Sequence, residues 1–365
     1  MITPELWMGA FHFAFIFWMC LTLGFTGMLL LHHTLRGEWG LPLLRIFEAG
    51  SKCLIPMGAI FFIGWFAGMS KLYPWMNSAT VAADPVLRIK SMYLNQPGFL
   101  IRAVVLFCVW IGWSAFLNKS TKTQETTGDN SHGQLRTNVA APGIVFFVIA
   151  VTIAVTDWVM SLDAHWYSTM YGFWFIIGQA LAAMSFSVFY TISKSGKEPY
   201  KQVVTPKMTK DWGNLMLMMS MVWAYFTFSQ FLIMWSGNIP MEVGYFYHRM
   251  QGPWDILGTI VVVAQFFIPF LLLLSGRTKR TPMYLKTVAG WIFVARILDL
   301  YWNIGPFFVK NTEVQGPITM SAPFTIMFLA VGAIWYACFT FFRRQNSIFP
   351  THDSRLIIQE AAPNA

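Results

Sequence analysis

Two acidic residues and a histidine occupy one short polar stretch between two long apolar runs. These residues are Asp157, Asp163 and His165, and the flanking runs are Ala140 to Met160 and Met170 to Ile192. Each run has about the 20 residues that a helix needs to cross a bilayer. The polar stretch therefore turns the chain at a membrane surface, and it places groups that bind and release protons where lipid meets water. A simple structural turn is the competing interpretation.

A second set of polar side chains lies inside apolar runs, where an ionisable group costs a few kcal/mol and marks a pathway, a pocket or a buried pair. Arg296 and Asp299 are three residues apart, so they share a helix face and can pair. Either the pair only stabilises the packing of the helices, or it lines a proton route or a pocket for the head group of a quinone. Arg102 lies at a depth similar to that of Asp157, and a salt bridge between them is the structural alternative.

Titratable residues also gather near the far end of the first run, where His32 and His33 are followed by Arg45 and Glu48. This cluster is either part of a proton route or a solvated rim. The candidate proton path is therefore Asp157, Asp163, His165, Arg296, Asp299, His32, His33 and Glu48. Uncharged polar residues are expected either to line the same path or to form interhelical hydrogen bonds; these are Tyr225, Ser229, Gln230, Gln265 and Gln179.

The composition predicts the class of protein that positions these groups. Hydrophobic residues make up 56% of the chain and charged residues 11%, whereas soluble domains have about a quarter charged residues. The apolar runs are unbroken and about twice as long as the alternating segments of a membrane barrel. The sequence therefore predicts an all-α polytopic membrane protein.

Nine apolar runs are long enough to be membrane spans. They are Leu6 to Leu31, Cys53 to Tyr73, Phe99 to Leu117, Ala140 to Met160, Met170 to Ile192, Trp212 to Trp235, Trp254 to Leu274, Tyr284 to Phe308 and Ala322 to Phe342. With the N-terminus outside, 18 of the 25 Lys and Arg residues fall on the inner side. The outer side then has only Lys71, Arg88, Lys90, Arg249 and Lys310. Because basic loops stay in the cytoplasm, we expect a periplasmic N-terminus and a cytoplasmic C-terminus.

The same topology accounts for the net charge of +9, so no nucleic-acid partner is expected. We expect the first span to remain in the mature protein and not to be cleaved as a signal peptide. No basic residue precedes it, and it is longer than the apolar region of a signal peptide. Ser120 to Arg136 is rich in Thr, Ser and Gln and is expected to be unstructured. No cysteine pair has metal-ligand spacing, and no two central helices offer a histidine pair, so neither a metal site nor a redox cofactor is expected in this chain.

The polar stretch, which we call the hinge, resembles a signature of one family. It reads DWVMSLDAHW from Asp157 to Trp166. Three further stretches agree with that family: Leu31 to His33 followed by Trp39-Gly40, Phe228 to Pro240, and Arg296 to Trp302. The chain resembles the ActF-type, NrfD-like membrane subunit of bacterial alternative complex III over nearly its whole length.

This resemblance implies an organisation and a set of partners. It implies a first four-helix bundle in 1–162 with a cytoplasmic loop at 118–138, a second bundle in 163–310, and a peripheral helix with a cytoplasmic tail in 311–365. The implied partners are a sister NrfD-like membrane subunit, periplasmic multihaem cytochrome c and iron–sulfur subunits, the lipid bilayer and quinol. Haem c and the clusters belong to those partners, and no cofactor is implied in this chain. The implied location is the bacterial inner membrane.

Members of this family usually have a further span before the one that corresponds to Leu6 to Leu31, and we expect this chain to lack it, together with the neighbouring-subunit contact that it would make. The sister subunit is the more natural site of quinol oxidation, which leaves open whether this chain binds quinone.

The expected function is therefore that of a membrane subunit of a quinol-oxidising complex of the respiratory electron-transport chain, supporting its assembly and proton translocation. A stand-alone secondary transporter, with breaks at Gly237 to Pro240 or Pro269, and a purely structural membrane anchor are the alternatives.

Overall fold

The computed structural model describes residues 4–309 and 316–350. Lys310, which the charge count assigned to the outer side, and most of the predicted tail lie outside the described residues. Every regular element of the described chain is helical. The α-helices are α1 Pro4–Leu35, α2 Leu44–Lys52, α3 Leu54–Ala67, α4 Ser78–Ala83, α5 Pro85–Lys90, α6 Gln96–Thr127, α7 Ser131–Trp158, α8 Tyr171–Ile192, α9 Tyr200–Val203, α10 Pro206–Gly237, α11 Pro240–Arg249, α12 Pro253–Val262, α13 Ile268–Leu274, α14 Gly276–Arg280, α15 Pro282–Ile304 and α16 Pro317–Arg344.

Eight helical segments of the described chain are long and apolar enough to cross a membrane. They are Pro4–Leu35, Glu38–Ala67, Gln96–Thr127, Ser131–Leu162, Tyr171–Ile192, Pro206–Gly237, Pro253–Leu274 and Ser321–Arg344. Eight of the nine predicted spans correspond to these segments, and the structure is that of an all-α multi-pass membrane protein. The predicted span Tyr284 to Phe308 overlaps α15, a 23-residue helix whose apolar run is interrupted by Arg296 and Asp299.

The predicted loop at 118–138, including Ser120 to Arg136, is mostly helical, so that prediction was wrong. Helix α6 continues to Thr127 and α7 begins at Ser131, which leaves three residues between them. The polar side chains that suggested disorder pair across the two helices instead. Arg136 donates to Gln124 Oε1 at 2.5 Å, and Ser120 Oγ lies 3.2 Å from His132 Nδ1.

Helix α1 lies at the centre of the structure and packs against α2, α7, α8 and α16. In its apolar window 78% of the residues are buried, compared with 28% for α10 and α16. Helix α16 is fixed to it by two indole groups, because Trp18 Nε1 donates to Phe328 O at 3.0 Å and Trp335 Nε1 donates to Thr22 Oγ1 at 2.8 Å. Exposed apolar side chains therefore concentrate on the surrounding helices, where a bilayer would contact them.

The structure has two ends, which we call the hinge end and the basic end. The hinge end contains the hinge, the α4–α5 segment, α11 and the C-terminus of α15. The basic end contains the C-terminus of α1, the α6–α7 connection, α14 and the C-terminus of α16.

A π-helical turn, Val263–Phe267, separates α12 from α13. Pro269 follows it, and a proline ring clashes with the carbonyl four residues earlier, here that of Gln265. The wider π turn accommodates this clash without ending the helix, so Pro269 marks a local distortion instead of a break.

Candidate functional site

A cavity of about 300 Å³ opens at the hinge end and contains two of the predicted hinge residues. We call it the hinge cavity, and its polar and charged lining includes Asp84, Asp163, His165, His248 and Arg249. His165 Nε2 lies 2.7 Å from Asp84 Oδ2, while its Nδ1 lies 4.0 Å from Asp163 Oδ1. The hinge therefore presents a histidine between two carboxylates to a solvent-facing cavity.

Asp84 is held in place because it caps a helix. Its Oδ1 accepts hydrogen bonds from the N–H groups of Val86 and Leu87 at the start of α5, at 2.8 and 3.4 Å. Partial removal from water opposes ionisation, but these two bonds and the contact with His165 outweigh it and lower the pKa of Asp84. The group beside His165 is therefore a carboxylate at neutral pH, able to orient the imidazole.

Arg249 connects the hinge cavity to the interior. It is 2% exposed, and its guanidinium donates to Tyr245 O at 2.9 Å and to Asn303 O at 2.5 Å. The same guanidinium lies 3.5 Å from the centre of the Tyr245 ring and 4.7 Å from that of Phe307. Backbone carbonyls and ring faces thus hold this cation between the cavity and the C-terminus of α15.

Hydrogen bonds continue from Arg249 into the membrane region along α15. The Tyr245 hydroxyl donates to Asn303 Oδ1 at 2.5 Å, and Asn303 Nδ2 donates to Asp299 O at 3.2 Å. Asp299 forms an ion pair with Arg296, and both side chains are almost completely buried. Because residues 296, 299 and 303 share one helix face, Arg296, Asp299, Asn303, Tyr245 and Arg249 form a continuous structure, which we call the α15 polar network.

The network reaches its deepest point where α15 meets α8. A Cβ atom added at Gly178 would lie 2.5 Å from Arg296 Cζ, so glycine makes room for the guanidinium. The next residue, Gln179, is buried, and neither amide atom of its side chain has a hydrogen-bond partner. Its backbone oxygen packs at Gly24 of α1. His32 lies eight residues further along α1, which is about 12 Å at the helical rise.

The basic-end candidates are buried, so their interpretation as a solvated rim is wrong. His32, His33, Arg45 and Glu48 are each no more than 5% exposed. Arg45 Nη1 donates to Glu48 Oε2 at 2.6 Å, and Arg45 also pairs with Glu125 from α6. Burial occurs because α2 and α6 pack over the C-terminal half of α1. The cluster lies at the opposite end of α1 from the hinge cavity.

Asp157 takes part in a different interaction from the other hinge residues. Arg102 donates to both of its carboxylate oxygens, at 2.7 and 3.1 Å, and stacks on the Tyr93 ring at 3.9 Å. This is the predicted salt bridge between the third and fourth spans, and it is confirmed. Asp157 does not line the hinge cavity, although Asp163 and His165 do.

The predicted uncharged lining is only partly inside the structure. Tyr225 is 64% exposed on the surface of α10, so its assignment to the interior was wrong; its aromatic face is turned outward beside other apolar residues of that helix. Ser229 is half-buried. Gln230 is buried and accepts from Ser168 Oγ at 2.5 Å. Gln265 is fully buried in the π turn, and its amide atoms have no hydrogen-bond partner.

The sequence did not identify Asp84, Asn303, Tyr245 or Arg249 as site residues. Asn303 had a detectable signal, because it follows Asp299 by one helical turn on the same face. The Tyr245 and Arg249 contacts with Asn303 join residues 58 and 54 positions apart, so no local pattern indicates them.

Within residues 4–309 and 316–350, no group of three or more His, Cys, Asp and Glu side chains is placed to hold a metal ion. The absence of a cofactor from this chain stays a prediction. Comparison with protein-family models and with curated proteins finds no match for this chain. The function of this chain is therefore inferred from its own residues and their geometry.

Proposed function

We propose that this chain is the membrane subunit of a quinol-oxidising electron-transfer complex and that the α15 polar network conducts protons to the hinge end. The observation that carries the proposal is the series of contacts from the buried Arg296–Asp299 pair, through Asn303, Tyr245 and Arg249, to the hinge cavity. The family resemblance of the hinge supports the type of complex.

The chemistry of quinol oxidation explains why such a network is needed. Oxidation of a quinol releases two protons with two electrons, and protons cross an apolar interior only where titratable or hydrogen-bonding groups are available. Asp299 is the acid of the network, and His165 with Asp84 and Asp163 is the titratable group at its exit. His32, His33 and Glu48 would serve the opposite half of the membrane, with about 12 Å of α1 between Gly24 and His32.

The proposed orientation places the hinge end in the periplasm and the basic end in the cytoplasm. The distribution of Lys and Arg supports this orientation. Iron–sulfur and haem c subunits would then dock at the hinge end. In this orientation, the protons released by quinol oxidation and the electrons passed to the partner subunits leave on the same side of the membrane.

Substitution of Asp299 tests the conduction role. The variant Asp299→Asn keeps the shape of the side chain and removes its titration, so the purified complex in proteoliposomes should release fewer protons per electron while quinol oxidation continues. An unchanged ratio would overturn the proposal. Because Asn leaves Arg296 as an unpaired buried charge, the neutral double variant Arg296→Gln/Asp299→Asn should be measured if the single variant does not assemble.

A matched control separates a local effect from a general loss of charge. Asp255 is an exposed acid at the start of α12, outside the α15 polar network. The variant Asp255→Asn should keep the wild-type ratio of protons to electrons. If both Asn variants change only the stability of the complex, the chain is a structural anchor.

A stand-alone secondary transporter is the second candidate, and one observation favours it. The π turn holds the buried, unpartnered amide of Gln265 at mid-helix, and transporters bind substrates near the membrane midplane at distorted helices. Purification under mild conditions distinguishes the candidates, because a transporter would be isolated without haem c or iron–sulfur partners.

A further inference from the structure

A groove at the basic end is not used by the proposed function. It has a volume of about 410 Å³ and lies between the start of α3, the C-terminal half of α6 and the end of α16. One part of its wall is apolar and another part carries three lysines. The groove therefore combines two kinds of surface that a single ligand would have to match.

The polarity of the groove changes along one face of α6. Ile111, Ala115, Asn118 and Lys122 follow one another at intervals of four, three and four residues, so they form a single stripe. The stripe covers about 16 Å at the helical rise, and it passes from apolar to basic toward the end of the span. This is the order in which acyl chain, glycerol and headgroup follow one another in a lipid leaflet.

The lysines of the groove give it an excess of positive charge. Lys52, Lys119 and Lys122 all line it, and none has an ion pair within the part of the chain that the structure describes. Glu48 and Glu125 both pair with the buried Arg45, and the charge of Glu48 also acts on Lys52. Because one arginine and two glutamates have a net charge of −1, they offset only one of the three lysines, and the groove keeps an excess of positive charge.

The polar floor of the groove has a defined hydrogen-bonding requirement. Ser114 Oγ donates to Ser51 Oγ at 2.8 Å, and Asn118 Nδ2 donates to Ser114 O at 2.7 Å. This arrangement leaves Asn118 Oδ1 buried and without a hydrogen-bond partner. A ligand that satisfies the floor must supply a donor, such as a headgroup hydroxyl.

We propose that this groove binds an anionic phospholipid with a hydroxyl-bearing headgroup, of the phosphatidylglycerol type. Lys52, Lys119 and Lys122 would pair with its phosphate, and a headgroup hydroxyl would donate to Asn118 Oδ1. An acyl chain would cover Ile55, which is 59% exposed one helical turn beyond Lys52. A soluble anion would leave this apolar wall in contact with water, and a neutral lipid would leave the lysines unpaired. Basic pockets between spans at the cytoplasmic side are typical sites for anionic headgroups.

Lipid titration of the full chain in detergent, followed by native mass spectrometry, tests the proposal. Phosphatidylglycerol should bind more tightly than phosphatidylcholine with the same acyl chains. The triple variant Lys52→Gln/Lys119→Gln/Lys122→Gln should weaken binding of phosphatidylglycerol on the order of 100-fold and leave phosphatidylcholine unchanged, because each lysine near the headgroups contributes several-fold. The single variant Lys122→Gln should weaken binding of phosphatidylglycerol about fivefold. Because Lys122 is exposed, this variant can be measured even if the triple variant does not fold.

The matched control removes the same charge elsewhere at the basic end. The triple variant Lys197→Gln/Lys201→Gln/Arg280→Gln changes three exposed residues outside the groove and should keep wild-type affinity. Equal binding of the two lipids, or equal loss in both triple variants, would overturn the proposal. Displacement of the lipid by soluble glycerophosphoglycerol at equal concentration would also overturn it, because the groove would then be a site for free anions.

Discussion

At the scale of single residues, two ion pairs inside this chain differ in what surrounds them. Arg102 and Asp157 form a two-bond contact that is isolated from the hinge cavity. Arg296 and Asp299 are also paired, but their contacts continue toward the cavity. The first pair is therefore expected to contribute stability, while the second has the additional connections that proton conduction requires.

The isolated pair gives a prediction about stability. The variant Arg102→Leu should lower the free energy of unfolding by about 3 kcal/mol, because it leaves the Asp157 carboxylate buried and uncompensated. The side chain of Asp157 is 1% exposed, which prevents water from replacing the lost partner. Unfolding in mixed micelles, analysed as a double-mutant cycle with Asp157→Leu, measures the effect.

The double variant in that cycle should be less destabilised than the sum of the single variants, because neither charge then remains unpaired. Arg88→Leu is the matched control at the same end, since Arg88 is exposed and should change stability by less than about 0.5 kcal/mol. Strict additivity of the two single substitutions would contradict a structural role for the pair.

At the scale of helices, local spacing predicted contacts within one helix and matching depth predicted the Arg102–Asp157 contact, but neither indicates most contacts that depend on helix rotation. The Arg296–Asp299 pair follows from an interval of three residues. The link between Tyr245 and Asn303 depends on how α11 rests on the end of α15, which no periodicity indicates. The helical extension of α6 and α7 was missed for the related reason that its polar residues are satisfied across two helices. Apolar length predicted eight of the apolar spans that the structure shows and one more, Tyr284 to Phe308, that is not among them; most side-chain contacts between helices needed the structure.

The close approach of α8 to α15 gives a prediction at this scale. The variant Gly178→Ala should displace the Arg296 guanidinium, because the added Cβ would lie 2.5 Å from its Cζ atom. We expect a loss of about 1–3 kcal/mol of stability and a lower ratio of protons to electrons in proteoliposomes. Thermal unfolding of the purified chain measures the first effect.

Gly112 provides the matched control for that substitution. It lies within α6, and a Cβ atom there would meet nothing within 4 Å. Gly112→Ala should therefore be neutral or slightly stabilising, since alanine favours the helix. Equal effects of the two alanine substitutions would show that the contact with Arg296 is unimportant.

At the scale of the whole molecule, the decisive question is whether α15 crosses the membrane. Its composition separates it from the eight apolar spans, but it packs against α1, α8 and α12 and carries the α15 polar network. A 23-residue helix is about 34 Å long, enough to cross the hydrocarbon region. A polar helix of this length is stable there because its charges face its neighbours and not the lipid.

Single cysteines in a cysteine-free background test this topology with a membrane-impermeant maleimide. Thr127→Cys and Met241→Cys lie at the basic and hinge ends, separated by the three crossings of α7, α8 and α10, so they should be labelled from opposite sides. Ser347→Cys follows α15 and α16. If α15 crosses, Ser347→Cys should be labelled from the same side as Thr127→Cys, which agrees with the bond from Ser347 Oγ to Glu125 Oε1 at 3.3 Å.

Labelling of intact cells that express the protein, and of inverted vesicles prepared from them, gives the direction as well as the crossings. With the proposed orientation, Met241→Cys reacts in intact cells, while Thr127→Cys and Ser347→Cys react only in inverted vesicles. The reverse pattern would keep all crossings but place the hinge cavity in the cytoplasm, where it cannot be a periplasmic proton exit. Labelling of Ser347→Cys together with Met241→Cys would instead remove α15 from the membrane, and the buried Arg296–Asp299 pair would then be part of a soluble surface layer.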